Sequence, residues 1–403
     1  MTGRPTVLLA QERLLGKQSA GIGASFESIT FSGDGLRQYN FAGFDSARVT
    51  SVRQVSTPIT TAWAIGSGLH VDVTALYASA TVNYRDAGNA SRSRSATLSG
   101  ISDLRVRATA SVVPERLVVT AGINAPTGRT ALTTNEFGVL RIMAAPALGL
   151  GSTPVGAGAS GTMGLVAARR LGPWAIALGG SYEYRGKYQP VAALVAGAPS
   201  ADFRPGGVVR ASITGDRTVG QHRLSVALAA DIFSDDELKT PATSGGTGGA
   251  PAPSSSTIVR LGPVYSTDVQ MQFAAPRFRQ LLGYAAVRVR APFSRDGTAV
   301  AKSGGQYLDA GMRGALALGV HRDLILGVDT RLHSGLGVDE GLPTSGVASG
   351  SVSVGVEFRR GLLSLQPYAR AQGGVLRQRG APSSVPSQAF TGYSTGLVVV
   401  GRF

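Results

Sequence analysis

Of 403 residues, 43% are hydrophobic and only 16% charged, against roughly a quarter charged in a soluble domain, and 55 glycines keep every apolar run below the ~18 residues of a transmembrane helix. The absence of cysteine excludes disulfide frameworks, thiolate metal sites and cysteine nucleophiles. A net charge of +15 raises phosphate binding, but there are only four lysines (Lys17, Lys187, Lys239, Lys302) and the arginines form no basic run, which argues against nucleic acid as a partner.

Residues 1–17 precede the first clear strand, Ala20 to Phe31. Their apolar run Val7-Leu8-Leu9-Ala10 is shorter than a signal-peptide core of about 7 to 15 residues. An exported protein needs such a core, so the export signal is expected to have been removed or to lie upstream. These residues read as a periplasmic tail or as a small lumenal stopper; the tail is favoured because termini are commonly unordered.

Beyond them, residue types alternate with period two. Leu104, Val106 and Ala108 alternate with Arg105, Arg107 and Thr109; Leu308, Ala310 and Met312 with Asp309, Gly311 and Arg313. Leu324, Leu326 and Val328 alternate with Asp323, Gly327 and Asp329; Val352, Val354 and Val356 with Ser351, Ser353 and Glu357. Such alternation marks half-buried strands, because successive side chains leave a strand on opposite faces.

Tight turns are expected at Gly66-Ser67-Gly68, Val113 to Arg116, Leu171-Gly172-Pro173, Val219-Gly220-Gln221, Ala275-Pro276-Arg277, His321-Arg322-Asp323 and Arg359-Arg360-Gly361. Longer connections fall near residues 32–56, 85–94, 126–153, 187–205, 234–256, 293–304, 335–349 and 376–390. Short and long connections alternate, as in outer-membrane barrels, so residues 18–403 are expected to form an all-β antiparallel transmembrane barrel of about 16 strands, with about 14 as the alternative. A soluble sandwich has the same alternation. The number of strands without a second apolar layer, the low charge and a polar row rich in Gly, Ser, Ala and Thr favour lipid on one side. No fixed repeat supports a propeller or solenoid.

The block Gly100-Ile101-Ser102-Asp103, a strand, a turn at Pro114 and a second strand closing in Pro126-Thr127-Gly128 resembles the outer-membrane transporter family named after the meta pathway of phenol degradation. That family opens the hairpin with Gly-x-Gly-Asp; here Ser102 stands for the second glycine, and the resemblance covers about thirty residues plus the last strand. It implies an outer-membrane channel for hydrophobic or aromatic compounds. The bland reading of Pro126-Thr127-Gly128 is a strand terminator. The final segment, Tyr393 to Phe403, places Tyr393, Leu397, Val399 and Phe403 on one face. It resembles the C-terminal strand of outer-membrane proteins, which implies Phe403 as the signal read by the barrel-assembly machinery.

Within the long connection after that hairpin, Thr133-Thr134-Asn135-Glu136 fits a capping box ahead of the apolar run Phe137 to Ala144. A short apolar helix is expected there. Folded into the barrel mouth, it makes Phe137, Leu140, Arg141 and Met143 candidates for a constriction; on the rim it is a lid support, and both placements remain open.

The polar row carries Asp72, Arg105, Arg107, Glu183, Arg185, Arg210, Arg223, Asp231, Arg260, Asp268, Arg288, Arg290, Asp309, Arg313, Asp329, Arg331, Glu357, Arg359 and Arg370. Of these, Arg105, Arg107, Arg210, Arg260, Arg288, Arg290, Arg313, Arg331, Arg370, Asp309, Asp329 and Glu357 are the pore-lining candidates. An arginine excess around a pore selects anions. The plainer reading is a ladder of cross-strand ion pairs, which guanidinium geometry suits, and it is favoured.

His70, His222, His321 and His333 lie far apart in sequence, the run Asp235-Asp236-Glu237 reads as a solvated face, and Thr240 to Thr257 reads as a flexible linker. No metal, cofactor or catalytic residue is therefore expected. The function that fits is a passive channel for small anionic or hydrophobic solutes in a Gram-negative outer membrane. A closed structural barrel binding a partner envelope protein is the alternative, and a barrel enzyme the second. Membrane lipid, lipopolysaccharide and the assembly machinery are the expected partners.

Overall fold

The computed structural model describes residues 19–41, 44–65, 68–86, 93–143, 148–150, 155–189, 202–240, 254–301, 303–335, 344–378 and 387–402. The chain begins with β1 (Ser19–Phe31), β2 (Leu36–Phe41), β3 (Phe44–Ile65), β4 (Leu69–Asp86), β5 (Ser93–Ile101), β6 (Leu104–Val113) and β7 (Leu117–Ala125). A helix, α1 (Thr134–Met143), precedes β8 (Ser160–Leu171), β9 (Trp174–Arg185), β10 (Asp202–Arg204), β11 (Val208–Val219) and β12 (His222–Phe233). Next come β13 (Asp235–Thr240), β14 (Ser255–Arg260), β15 (Val264–Ala275), β16 (Phe278–Arg290), β17 (Ser294–Arg295) and β18 (Thr298–Ala299). The chain ends with β19 (Gly305–Ala317), β20 (Arg322–Ser334), β21 (Thr344–Arg360), β22 (Leu363–Gln378) and β23 (Gln388–Arg402).

All neighbours in the main sheet are antiparallel, and β1 pairs with β23 from Ser19↔Arg402 to Phe31↔Phe390, so the sheet closes on itself. Its eighteen hydrogen-bonded segments make a sixteen-stranded wall, because β2 continues β1 along β3, while β5 and β6 share one long partner, β4. Closure leaves no unpaired backbone edge, as hydrocarbon requires. On one rim the connections are tight: Gly172, Gly220 and Gly361 hold φ of +59°, +61° and +58°, left-handed values that favour glycine. The β19–β20 turn occupies residues 318–321, slightly earlier than His321-Arg322-Asp323.

Several expected loops are in part strand: β10 falls within 187–205, β13 within 234–256, β17 and β18 within 293–304, and β21 begins within 335–349. Residues 32–56 contain β2 and the first part of β3; a register shift between Val49 and Ser51 breaks the alternation there and hides the strand. Likewise Thr240 to Thr257 overlaps β14, which with β13 extends the β12–β15 hairpin beyond the rim. There they join β10, β17 and β18 in a separate five-stranded sheet.

Register fixes the two faces of the wall. The outward row carries Trp63, Tyr77, Ile123, Met163, Tyr182, Tyr184, Ile213, Leu228, Tyr265, Met312, Val328, Val352 and Tyr393, all large and exposed. Trp63 and Trp174 lie toward the tight-turn rim, while Tyr77, Tyr184, Tyr265 and Tyr393 lie toward the other, forming two aromatic girdles around an apolar band. From Trp174 to Tyr184 the face is ~33 Å of extended chain, about 25 Å tall at a tilt of ~40°, the height of a lipid-facing belt.

On one side of the barrel the polarity of the two faces inverts partway along the strands. Below Tyr77, β4 turns Leu69, Val71 and Val73 outward and Asp72 and Thr74 inward; above it, Thr81, Asn83 and Arg85 face outward and Ala78, Ala80, Val82 and Tyr84 inward, where all four are buried. β3 is 22 residues long and β4 18, whereas about 9 to 11 suffice to cross a bilayer. The upper part of this wall therefore stands above the band, with water outside and an apolar core inside.

Candidate functional site: the lumen and its inward segment

The inward apolar patch is covered by the connection between β7 and β8. Thr133 and Glu136 form the expected capping box: Thr133 N–H donates to Glu136 Oε2 at 2.9 Å, and Glu136 N–H to Thr133 Oγ1 at 3.4 Å. Burial alone would raise the Glu136 pKa, but Thr133 and Arg129 outweigh it and hold the carboxyl below its ordinary value. Val139, Ile142 and Met143 of α1 are buried against Ile29, Val52, Val82 and Leu98 of the tall wall, and against Val347, Leu376 and Phe390 across the β23 seam. The helix thus lies inside the barrel mouth.

Of the residues named for a constriction, Met143 is turned into this core, and Phe137 and Leu140 are partly buried against it. Arg141 is half-buried and has a partner within the structure. Val139 and Ile142 hold the helix in place and were missed, although Val139, Ile142 and Met143 have the i, i+3, i+4 spacing of a helix face.

The ends of the inward segment are fastened by Asp103. β5 and β6 meet in a bulge: from Gly100 to Arg105 the strand advances five residues while β4 advances four, from Ala78 to Thr74. Asp103, 6% exposed, sits in that bulge and accepts N–H bonds from Gly128 at 3.0 Å and Ala157 at 2.7 Å. Beside it the Thr127 hydroxyl accepts the Leu104 N–H at 2.9 Å. The Asp and Pro-Thr-Gly signals therefore meet in space as the anchor of the inward segment, which is more than strand termination.

Below the helix the lumen is polar. Register places Arg105, Arg107, Arg210, Arg288, Arg290, Arg313, Arg331, Arg370, Asp309, Asp329 and Glu357 on the row opposite the exposed apolar side chains. Arg260 departs from that row: it belongs to β14, in the sheet beyond the rim, and pairs with Asp235 at 2.6 Å. Its alternation continues that of the barrel strands, so periodicity cannot tell wall from extension.

Much of the row is a ladder of cross-strand ion pairs. Arg107 meets Asp72 at 2.9 Å, Arg210 Asp231 at 3.5 Å, Arg331 Asp309 at 2.8 Å and Arg370 Asp329 at 2.7 Å. Asp323, 2% exposed, takes Arg279 at 2.7 Å and also Arg359. Glu357 accepts from the Ser364 hydroxyl at 2.8 Å. Among the described residues, Arg105, Arg288, Arg290 and Arg313 have no salt bridge. Sequence spacing also hid His333, whose Nε2 lies 3.3 Å from Asp309. Among the described residues no cluster of three or more metal-ligating side chains occurs. Phe403 lies outside the described residues.

No family model matches the chain, and no curated protein matches its sequence. Among solved structures, the high-pH structure of Pseudomonas putida OprB aligns with a TM-score of 0.46 at 11% identity, over 98% of this chain and 96% of its own. A Pseudomonas aeruginosa FadL homologue gives 0.46 at 11%, over 100% and 93%. A deltaS2S3 mutant of TodX, a monoaromatic hydrocarbon channel, gives 0.46 at 10%, again over 100% and 93%. At these values the likeness carries no argument about function.

Proposed function

We propose that the chain is a passive channel of a bacterial outer membrane, conducting small hydrophobic or anionic solutes rather than catalysing a reaction. The observation that carries this reading is the opposition of the two faces: a closed wall with an apolar band outside, and inside it an arginine-rich row beneath a helix folded into the mouth. The band suits membrane lipid, with lipopolysaccharide above the upper girdle, and Phe403 is proposed as the contact for the assembly machinery. Uncompensated arginines favour anions in a water-filled lumen, while the apolar face around α1 gives a hydrophobic solute a surface to follow.

A second reading is favoured by the same helix and by the ion-pair ladder: a closed structural barrel whose extension sheet binds an envelope protein. Planar-bilayer recording of the purified full chain separates the two. Stable open steps with a reversal potential toward anions, or accelerated uptake of a neutral aromatic solute into liposomes, support a channel. Silence in both assays supports the closed barrel.

A further inference from the structure

On three adjacent strands of the inner wall, two arginines and one polar atom each of a tyrosine and a histidine lack the partners that their neighbours have. Arg288 of β16 stands opposite Tyr307 of β19, which stands opposite His333 of β20; Arg290 stands opposite Gly305, the next position on the same row. Neighbouring strands are ~4.8 Å apart, so these side chains leave the wall as close neighbours. The rings of Tyr307 and His333 meet edge to face at 4.7 Å. Asp309, the carboxylate nearest them, is already engaged by Arg331 at 2.8 Å and by His333 Nε2 at 3.3 Å.

What remains is two guanidinium groups and one hydroxyl with donors to spare, beside an imidazole whose Nε2 is turned to Asp309. Neither Arg288 nor Arg290 has a salt bridge or hydrogen bond among the described residues. The Tyr307 hydroxyl and His333 Nδ1 are buried without a hydrogen-bond partner, and His333 is 6% exposed. Native proteins leave few buried polar atoms unpaired, and each exception calls for a cause such as strain, a catalytic role or an unseen water or ion. The hydroxyl is aimed toward the Arg290 rung, since a Cβ on Gly305 would lie 3.2 Å from it. Further along the row, Val347 faces His333 and Leu376 faces Val347, both buried in the core that holds α1.

We propose that Arg288, Arg290, Tyr307 and His333 form a lumenal binding site for the oxyanion group of a small solute, a carboxylate or a phosphate. The guanidinium groups bind its oxygens in charge-assisted hydrogen bonds, the Tyr307 hydroxyl donates a further one, and His333, held by Asp309 and by its ring contact, positions Tyr307. The site rests on reading the lumen as a solute path, and it gives that path a specificity element.

The test titrates the full chain, folded in detergent, with sodium phosphate and separately with sodium benzoate at constant ionic strength, followed by calorimetry. Saturable binding of phosphate alone identifies phosphate or phosphoester solutes; of benzoate alone, carboxylates; either result supports the site. The double variant Arg288→Gln/Arg290→Gln should then weaken binding by about tenfold or more and Tyr307→Phe by about threefold, while Arg53→Gln, on the outward face, leaves it unchanged. Anomalous gel migration before boiling confirms that each variant is folded. Failure of both anions to saturate, or undiminished binding in the double variant, overturns the site. Binding without conductance overturns the channel and leaves the site standing; conductance without binding does the reverse.

Discussion

The carboxylate of Asp103 accepts the N–H of Ala157 at 2.7 Å across 54 positions of sequence, while its second oxygen takes that of Gly128 at 3.0 Å. One buried side chain thus holds both ends of the segment that enters the lumen. The two ends also touch: Gly156 N–H donates to the Arg129 carbonyl at 2.9 Å, and a Cβ on Gly156 would lie 2.6 Å from Asp103 Oδ1. Asp103→Ala leaves two N–H groups unpaired, roughly 1–3 kcal/mol each if they stay buried. The expected outcome is a folded barrel with a loosened segment and larger single-channel conductance, with Asp103→Asn milder because one acceptor survives. Gly156→Ala should act as Asp103→Ala does. Conductance unchanged in all three would show that the segment is held elsewhere.

The Glu136 capping box gives the same segment a pH dependence. Burial works against the charged form, but hydrogen bonds from Thr133 and the Arg129 charge more than offset it, so the folded pKa lies below the unfolded value. Such a group stabilises above the unfolded glutamate pKa of ~4.3, and its contribution disappears as pH falls through the folded value. Once the intrinsic slowing of amide exchange in acid is divided out, the protection of the first turn of α1 should therefore fall on acidification in the wild type. Glu136→Gln should have lower protection at neutral pH and a protection that changes little in acid; identical losses of protection in the two proteins would remove Glu136 as the cause.

Arg370 and Asp329, 2.7 Å apart, share Ser351, whose hydroxyl donates to Asp329 at 2.6 Å and accepts from Arg370 Nε at 2.7 Å. Arg370→Ala removes one positive charge from the row and leaves Asp329 facing the lumen. Reversal potentials in a salt gradient should shift toward cations in this variant, and Asp329→Asn should shift them the other way. A shift of the same sign in both would mean that these charges do not border the conducting path.

Closure, strand number and the ion-pair row were legible because period two needs only the identity of each residue: Asp309 and Arg331 fall opposite each other once the turn at 318–321 is placed. Four features were not legible. The bulge near Val49 and the inversion of polarity above Tyr77 both break the expectation that apolar residues face one way. Arg260 carries the same alternation into a sheet beyond the rim, where no local signal marks the end of the membrane. Asp103 looked like the start of a strand, because its partners Gly128 and Ala157 offer backbone N–H groups, which every non-proline residue has.

The inversion predicts opposite tolerance for the same substitution on one continuous outward row. Val328 lies within the apolar band and is 54% exposed to its surroundings; Ser95, also outward, lies on β5 above the level of Tyr77. Arginine near the bilayer midplane costs a transmembrane barrel ~2–4 kcal/mol, and close to ~0–1 near or beyond the interface. Val328→Arg should lower the urea midpoint for unfolding from lipid vesicles by the larger amount, while Ser95→Arg leaves it nearly unchanged. The inner face gives the complementary case: Ile142→Ala removes a side chain packed between α1 and the tall wall and costs the helix contact about 2–5 kcal/mol. Because that contact lies above the band, the loss should appear as protease sensitivity of the inward segment with the vesicle-embedded barrel intact. Equal sensitivity of Val328→Arg and Ser95→Arg to urea would place both residues in one environment and abolish the boundary drawn at Tyr77.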